Sequence, residues 1–404
     1  MTKNVCHTIV LDDLDGPIIR SQSIDVLKAV AGASDLNIYL LWFCRLDRFW
    51  RFRKQLRELR QELNDAGVVL LIIPTVIFKD PVSSLFLPFV MLELFLGLGW
   101  TRLRYNIDLF HSRSYLAGLA SAMIYKVSKT KTIFDPRSPY PEENVSAGYW
   151  QSSSFSFRLW KRLEKWIIQH SAATIATNDV FAGELTSTVP AATVAVIPNN
   201  VSWVSKPRHE MDNAGPTALG DKITFCYLGS LGLWNKTEVY TDFLRRVKGM
   251  DFESIFVVPD LYFEKVRSSL QKPEMAVINA SVVSVPPEDV QQLISTCTVG
   301  LQLMDQPDVR LSIKVVEYLA AGLPVIVSEN ISGAAALIKQ REVGFVLKAD
   351  YSNLNEAIDF IQKVNLDRDA WRYRCQKLAY DMFSTTVVAN QVRALYQETL
   401  ASGQ

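Results

Sequence analysis

Apolar positions along the chain fall into short runs separated by stretches of helical period. The runs His7–Leu11, Leu36–Phe43 and Gly67–Pro74 contain segments such as TIVL and VVLLII, apolar on both faces. That pattern suits parallel strands covered by helices on both sides. Arg20–Val30 and Leu46–Ala66 read as helices between them, and Leu85–Trp100 as a long apolar helix. Asp108–His111, Tyr115–Val127, Lys131–Asp135, Phe155–His170, Ala172–Thr177 and Val194–Pro198 continue the alternation of strand and helix. Ser202–Asp221 breaks it. This stretch is polar, holds Pro207, Gly215, Pro216 and Gly220, and reads as a linker. The rhythm restarts with strand Ile223–Leu228, helix Thr237–Lys248, strands Ser254–Val258 and Met275–Val283, helix Glu288–Ser295 and strand Val299–Met304. Helix Ile313–Ala321, strands Val325–Ser328 and Phe345–Leu347 and three C-terminal helices complete it. The expected fold is α/β, with two Rossmann-like, doubly wound domains over residues 1–205 and 222–383, a linker at 206–221 and a terminal helical segment at 384–404.

Composition supports this division. At about 150 residues per domain, a chain of 404 residues holds two or three domains. Apolar residues make up 49% and charged residues 21%, which excludes disordered, collagen-like and disulfide-scaffold chains. The formal charge of +1 leaves no global field to recruit nucleic acid. Cys6, Cys44, Cys226, Cys297 and Cys375 are scattered, odd in number and form no C-x-x-C pair, which reads as a reducing cytosol. Met1–Asp13 lacks a charged segment followed by a long apolar run, so no signal peptide is expected. Leu85–Trp100 contains Pro88 and Glu93 and is shorter than the roughly 20 residues of a spanning helix. It reads as a buried helix or one lying on a membrane surface.

Candidate chemistry is densest in RLSIKVVEYLAAGLPVIVS, Arg310–Ser328. Ser312 stands at an N-cap, Gly322 at a C-cap, and Pro324 opens a strand. A helix N-terminus with Lys314 beside it suits phosphate. Glu317, one turn on, can accept hydrogen bonds from a sugar diol. Taken alone, an ordinary helix with a surface i, i+3 pair accounts for the same residues. However, Ser312, Lys314, Glu317, Tyr318, Leu319, Ala320, Gly322, Pro324, Val325 and Ile326 resemble the signature S-x-K-x-x-E-Y-L-A-x-G-x-P-V-I. It occurs in family 4 glycosyltransferases of the GT-B type, many of them acting in bacterial surface polysaccharide assembly. The resemblance implies that Glu317 binds the nucleotide ribose and that the helix start, with Ser312 and Lys314, binds the donor diphosphate. It departs at Val309, where the family's E-x7-E pair has its first Glu, the contact to the donor sugar. Asp305, Asp308 and Arg310 are candidates to substitute.

A second match is YLGSLGLWNK, Tyr227–Lys236. Gly229 and Gly232 would let backbone approach a ligand. Ser230 replaces the family's basic residue, and Lys236 matches the lysine that neutralises the leaving diphosphate. A glycine turn with a solvated lysine is the alternative. In DLFHSR, Asp108–Arg113, His111 resembles the strand-end histidine beside the reaction centre, and Arg113 is a candidate for an acceptor phosphate. A histidine satisfied in the core is the other reading. DPRSPYPEE resembles the D-x-R-x(n)-E element of the polysaccharide subset. That places Asp135, Arg137 and Glu143 on the acceptor side, or equally in a local salt-bridge network. Gly16 matches a glycine close to the donor phosphate. The DDLD run at 12–15 reads as a solvated loop, not a metal site.

The resemblance implies two domains facing a central cleft, with the final helices, about 368–402, crossing back to the first domain. It implies a retaining hexosyltransferase using a UDP- or GDP-sugar and needing no metal or other cofactor. Lys236, Lys314 and the helix N-terminus would stabilise the leaving diphosphate. Arg45–Arg60 carries Arg45, Arg48, Arg51, Arg53, Lys54, Arg57 and Arg60. A helical wheel puts Phe49, Phe52, Leu56, Leu59 and Leu63 inward and Trp50 among the cations. That face suits anionic lipid headgroups, and a solvated arginine-rich helix is the alternative. The expectation is a peripheral protein on the inner face of the cytoplasmic membrane, acting on a polyprenyl-diphosphate-linked saccharide and not on nucleic acid. A scaffold subunit that kept the fold but lost the chemistry is the rival, favoured by Val309 and Ser230. A nucleotide-sugar epimerase or phosphorylase is weaker, since no acid–base pair or cofactor lysine stands out.

Overall fold

The computed structural model describes residues 2–11, 14, 16–76, 86–204, 206–207, 222–231, 235–272 and 279–402. They form two compact units, residues 1–198 with 385–404, and residues 199–384. The division falls ahead of the expected linker, most of which, 208–221, lies outside the described residues. Residues just after Pro198 belong to the second unit for a packing reason. Val201 is buried in that unit's core and bridges Ser384, and the Asn199 side chain donates to the Leu311 carbonyl.

The first unit is built on a parallel sheet of seven strands. These are β1 (Asn4–Val10), β2 (Asn37–Arg45), β3 (Val68–Thr75), β4 (Leu109–Arg113), β5 (Lys131–Asp135), β6 (Ala173–Ala176) and β7 (Val194–Val196), in the order β3-β2-β1-β4-β5-β6-β7. The order reverses at β1, so the ends of β1 and β4 flank a topological switch point, where such sheets bind ligands. β4 extends beyond the expected strand to Arg113 and is buried throughout, which puts His111 inside it rather than past its end. The expected helix Arg20–Val30 is instead Pro17–Ile19, a π-helical stretch Arg20–Asp25 and Val26–Gly32. The expected helix Leu46–Ala66 breaks at Phe52 into Leu46–Arg51 and Arg53–Asp65. Its inward stripe faces the core: Leu56 and Leu63 are buried, and Phe49, Phe52 and Leu59 pack against them. The helix Thr385–Ala401 adds Val388, Ala389, Val392, Leu395 and Tyr396 to the same core.

The second unit holds a parallel sheet of six strands. These are β8 (Ile223–Leu228), β9 (Phe252–Val257), β10 (Ala280–Val283), β11 (Val299–Gln302), β12 (Val325–Ser328) and β13 (Gly344–Leu347), in the order β10-β9-β8-β11-β12-β13. Here the switch point lies at the ends of β8 and β11. β8 is followed by Gly229. β11 leads to the helix Ile313–Ala321, which starts after Ser312 in extended conformation and ends at Gly322, φ 87°. Four helices not anticipated from periodicity, Tyr140–Ser146, Asp179–Thr188, Asp260–Leu270 and Ser332–Arg341, complete the two units. No described helix is long and apolar enough to cross a membrane.

Candidate functional site

In the second unit, the helix Ile313–Ala321 is clasped to the sheet by Tyr318. The Leu228 N–H donates to the Tyr318 hydroxyl at 2.6 Å, and that hydroxyl donates to the Leu301 carbonyl at 3.3 Å. Gly300 makes the approach possible, since a Cβ there would meet the Tyr318 ring at 2.6 Å. The clasp fixes where Lys314 emerges. Its ammonium donates to the Tyr227 hydroxyl at 3.2 Å and lies 5.0 Å from the Tyr227 ring centroid. The Lys314 stem runs under Gly229, whose φ is +114°, and a Cβ at Gly229 would fall 2.5 Å from Lys314 Cε. Glycine is required there for both reasons.

Charge is held here at a cost. Burial brings the Lys314 ammonium down to about 7, against the pull of Glu317. Burial also raises the Glu317 carboxyl to about 7, against the pull of Lys314. Both side chains keep partial solvent access, which moderates the shifts. A half-buried cation that resists its own charge is poised to gain from an incoming anion. Lys236 is exposed and pairs with Asp305 at 2.6 Å. Ser230 is exposed next to Gly229. Ser312 takes the N-cap position, but its side chain makes no capping hydrogen bond. Asp308 and Arg310 pair with each other at 2.7 Å. Gly232 lies outside the described residues.

In the first unit, a buried polar cluster gathers along β1, β4 and β5. His111 is sandwiched, with Nδ1 2.7 Å from the Tyr396 hydroxyl and Nε2 3.4 Å from Asp135 Oδ2. Burial keeps the Tyr396 phenol protonated. A carboxylate facing Nε2 favours the proton there, leaving Nδ1 to accept from Tyr396. Burial pushes the Asp135 carboxyl up, but Arg137, His111 and Arg113 outweigh it and hold it well below the usual carboxylate range. Arg137 lies 3.3 Å from Asp135. Arg113 and Arg137 also converge on one oxygen, donating to Gln22 Oε1 at 3.1 and 2.7 Å. The π-helical stretch Arg20–Asp25 supplies that glutamine. Glu143 accepts from the Ser138 hydroxyl at 2.7 Å. Gly16 takes the N-cap of the helix at Pro17, while Asp12, Asp13 and Asp15 lie outside the described residues.

Backbone strain collects at the same strand ends. Leu11 follows β1 with φ 66°, Ser114 follows β4 with φ 74°, and Arg137 stands near the end of β5 with φ 63°. Non-glycine residues hold such angles only where the surroundings over-determine them. His7, edge-on to His111 at 4.3 Å between ring centroids, is buried with no hydrogen-bond partner at either ring nitrogen among the described residues. Burial, with the charge of Arg113 beside it, keeps it neutral.

The structure thus groups His111, Arg113, Asp135 and Arg137 in one unit, and Gly229, Lys314 and Glu317 in the other. Tyr318 stood within the signature and Tyr227 at the head of YLGSLGLWNK, but neither had been given a role, and His7, Gln22 and Tyr396 were not legible beforehand. For Tyr227 the signal is its place two residues before the glycine at the end of β8. Tyr396 has none, being 285 residues from its partner.

Residues 51–202 match the profile described as Glycosyltransferase Family 4, and residues 305–381 that described as Glucosyltransferase 3-like, C-terminal domain. No curated protein matches the chain by sequence. Among solved structures, a glycosyltransferase from Rickettsia africae superposes with a TM-score of 0.68 at 15% identity, covering 100% of both chains. The sucrose-phosphate synthase of Thermosynechococcus elongatus gives 0.73 at 14%, covering 99% of this chain and 100% of its own. Anabaena HepE, solved with UDP and glucose, gives 0.63 at 12%, covering 98% and 100%. At these identities the likeness concerns the fold, two parallel α/β sheets of the GT-B type.

Proposed function

Given that the chain is a glycosyltransferase of family 4 type with the GT-B fold, using a nucleotide sugar, we propose that it transfers a hexose with retention to a polyprenyl-diphosphate-linked saccharide in surface polysaccharide or lipopolysaccharide assembly. The protein acts peripherally at the inner face of the cytoplasmic membrane. The observation that carries the donor half is Lys314, held under Gly229 at the head of its helix in an environment that disfavours its charge. A diphosphate there restores the ammonium and meets the helix dipole. UDP in the HepE complex favours a UDP-type donor. Glu317, one turn along, accepts from the ribose hydroxyls.

Transfer breaks the bond from the anomeric carbon to the phosphate oxygen and forms one to the acceptor hydroxyl oxygen on the same face. The hydroxyl proton passes to the departing phosphate oxygen, so no protein nucleophile and no metal is needed. Lys314 and Lys236 bind the charge that grows on the diphosphate as it leaves. On the acceptor side, Arg113 and Arg137 converge on one neutral oxygen of Gln22. Two guanidiniums aimed at one acceptor suit an anionic oxygen of the lipid-linked diphosphate.

The test is turnover of UDP- and GDP-hexoses with extracted lipid-linked saccharides, reading the anomeric configuration of the product with and without EDTA. Retention that survives EDTA, and a fall of about a hundredfold or more in kcat for Lys314→Ala with an unchanged melt, are expected. Inversion, loss of activity in EDTA, or normal turnover in Lys314→Ala overturns the assignment.

A further inference from the structure

The helix Leu87–Tyr105 is apolar on every side. Inward, Val90, Met91, Leu94 and Leu98 are buried. Gly97 closes on β2, where a Cβ would stand 2.5 Å from the Phe43 ring. Outward, Phe89, Leu92, Leu96, Trp100 and Leu103 follow spacings of three and four and are 72, 56, 61, 53 and 72% exposed. They form one stripe about 21 Å long at ~1.5 Å per residue. Glu93 is the one charge between Phe89 and Trp100, and its carboxylate accepts from the Val76 N–H at 2.8 Å. A helix apolar all round is normally enclosed. Here none of the described residues covers the outer stripe.

The arginine-rich helix Arg53–Asp65 does not extend this surface. Successive β2 residues point to opposite faces of the sheet. Trp42 and Cys44 share a core with Leu56 and Leu63 of the basic helix, whereas Phe43, between them, meets Gly97. The two helices therefore cover opposite faces of the seven-stranded sheet, and no flat surface lies along both. Among the described residues, cations stand at the far end of the stripe, where Arg104 is exposed and Arg102 donates to the Thr130 hydroxyl.

We propose that the outer side of Leu87–Tyr105 is the membrane-docking surface, lying parallel to an anionic bilayer with its stripe at the level of the acyl-chain boundary. Phe89 and Trp100 enter the interface, and Arg104 meets headgroup phosphates. An apolar stripe that ends on an exposed arginine is complementary to a bilayer, which is apolar within and anionic at its surface. The inference deepens the membrane half of the proposal above, and its test uses neither donor nor acceptor, so it fails or stands separately from the transfer assignment.

The test is co-sedimentation of the full chain with vesicles of phosphatidylglycerol and phosphatidylethanolamine against pure phosphatidylcholine, at low and high salt. Preference for the anionic vesicles, reduced by salt, is expected. The pair Leu92→Glu with Leu96→Glu weakens binding by about tenfold or more, and leaves the melt unchanged because both side chains are exposed. The triple variant Arg53→Gln, Lys54→Gln, Arg57→Gln on the opposite face stays within about twofold of the parent. Three results overturn the proposal: no binding to anionic vesicles, loss of binding in the triple variant with retention in the glutamate pair, or a light-scattering dimer that the glutamate pair dissociates, which makes the stripe an interface between copies.

Discussion

With the diphosphate beside Lys314 as proposed, the low affinity of Lys314 for its proton predicts that nucleotide binding takes up a proton. At pH 8 an amine titrating at about 7 is about nine-tenths neutral. A diphosphate beside it favours the ammonium and moves its titration back toward the ordinary lysine range. The complex then holds nearly one proton more than its separated components. Partial solvent access of the side chain lessens that uptake without changing its sign. The sign follows from the direction of the shift. Between about 7 and the ordinary lysine value the ligand-free protein binds fewer protons than the complex, so affinity falls as pH rises through that window. The slope is at most about tenfold, ~1.4 kcal/mol, per pH unit.

In the proposed complex Glu317 works the other way. Its carboxyl, raised to about 7, releases a proton when ribose hydroxyls stabilise its anion. At pH 8 it is already mostly ionised, and the terminal phosphate, titrating near ~6, is too, so Lys314 dominates the exchange there. Below pH 7 the contributions oppose one another and net uptake shrinks. The assay is isothermal titration of UDP at pH 8 in buffers of differing ionisation enthalpy, whose slope counts the protons. Lys314→Gln should bind more weakly and show no uptake. An enthalpy independent of buffer in the parent protein, or uptake undiminished in Lys314→Gln, refutes the reasoning.

Two substitutions probe the supporting geometry. Gly229→Ala places a methyl 2.5 Å from Lys314 Cε at a backbone φ of +114°. It should cost about 1–3 kcal/mol in urea unfolding and displace Lys314, weakening UDP binding, whereas Gly249→Ala, with nothing within 4 Å of its new Cβ, serves as a neutral control. Tyr396→Phe removes the partner of His111 Nδ1 inside the first unit, with an expected loss of about 1–3 kcal/mol and a fall in turnover. Combining it with His111→Gln should cost less than the sum of the two single changes, because both break the same contact, and strict additivity in the double mutant would show that the two side chains do not act together.

The parts of the molecule that could be read beforehand are those whose cause is local. Ile223–Leu228 and Lys131–Asp135 are strands over the expected residues because short apolar runs on both faces have few other solutions. Ile313–Ala321 is bounded as expected because Gly322 takes the left-handed angle that ends it. What escaped has a non-local cause. Phe52 interrupts a helix whose period continues across it, since its ring packs into the core from a non-helical backbone. The π-helical stretch Arg20–Asp25 is held where Gln22 meets two arginines from other strands, which nothing in RSQSID announces. Likewise, nothing local tells whether the basic segment after β2 and the apolar segment after β3 lie on one surface. Right-handed crossovers send a chain moving from β1 through β2 to β3 over one face, and a chain returning from β3 to β4 over the other. Adjacency in sequence therefore becomes opposition in space once β4 is known to pair with β1 rather than β3. That pairing rests on contacts such as His7 against His111, more than a hundred residues apart. The same pairing that assembles the buried histidine cluster thus decides which helix is left with its apolar side facing outward.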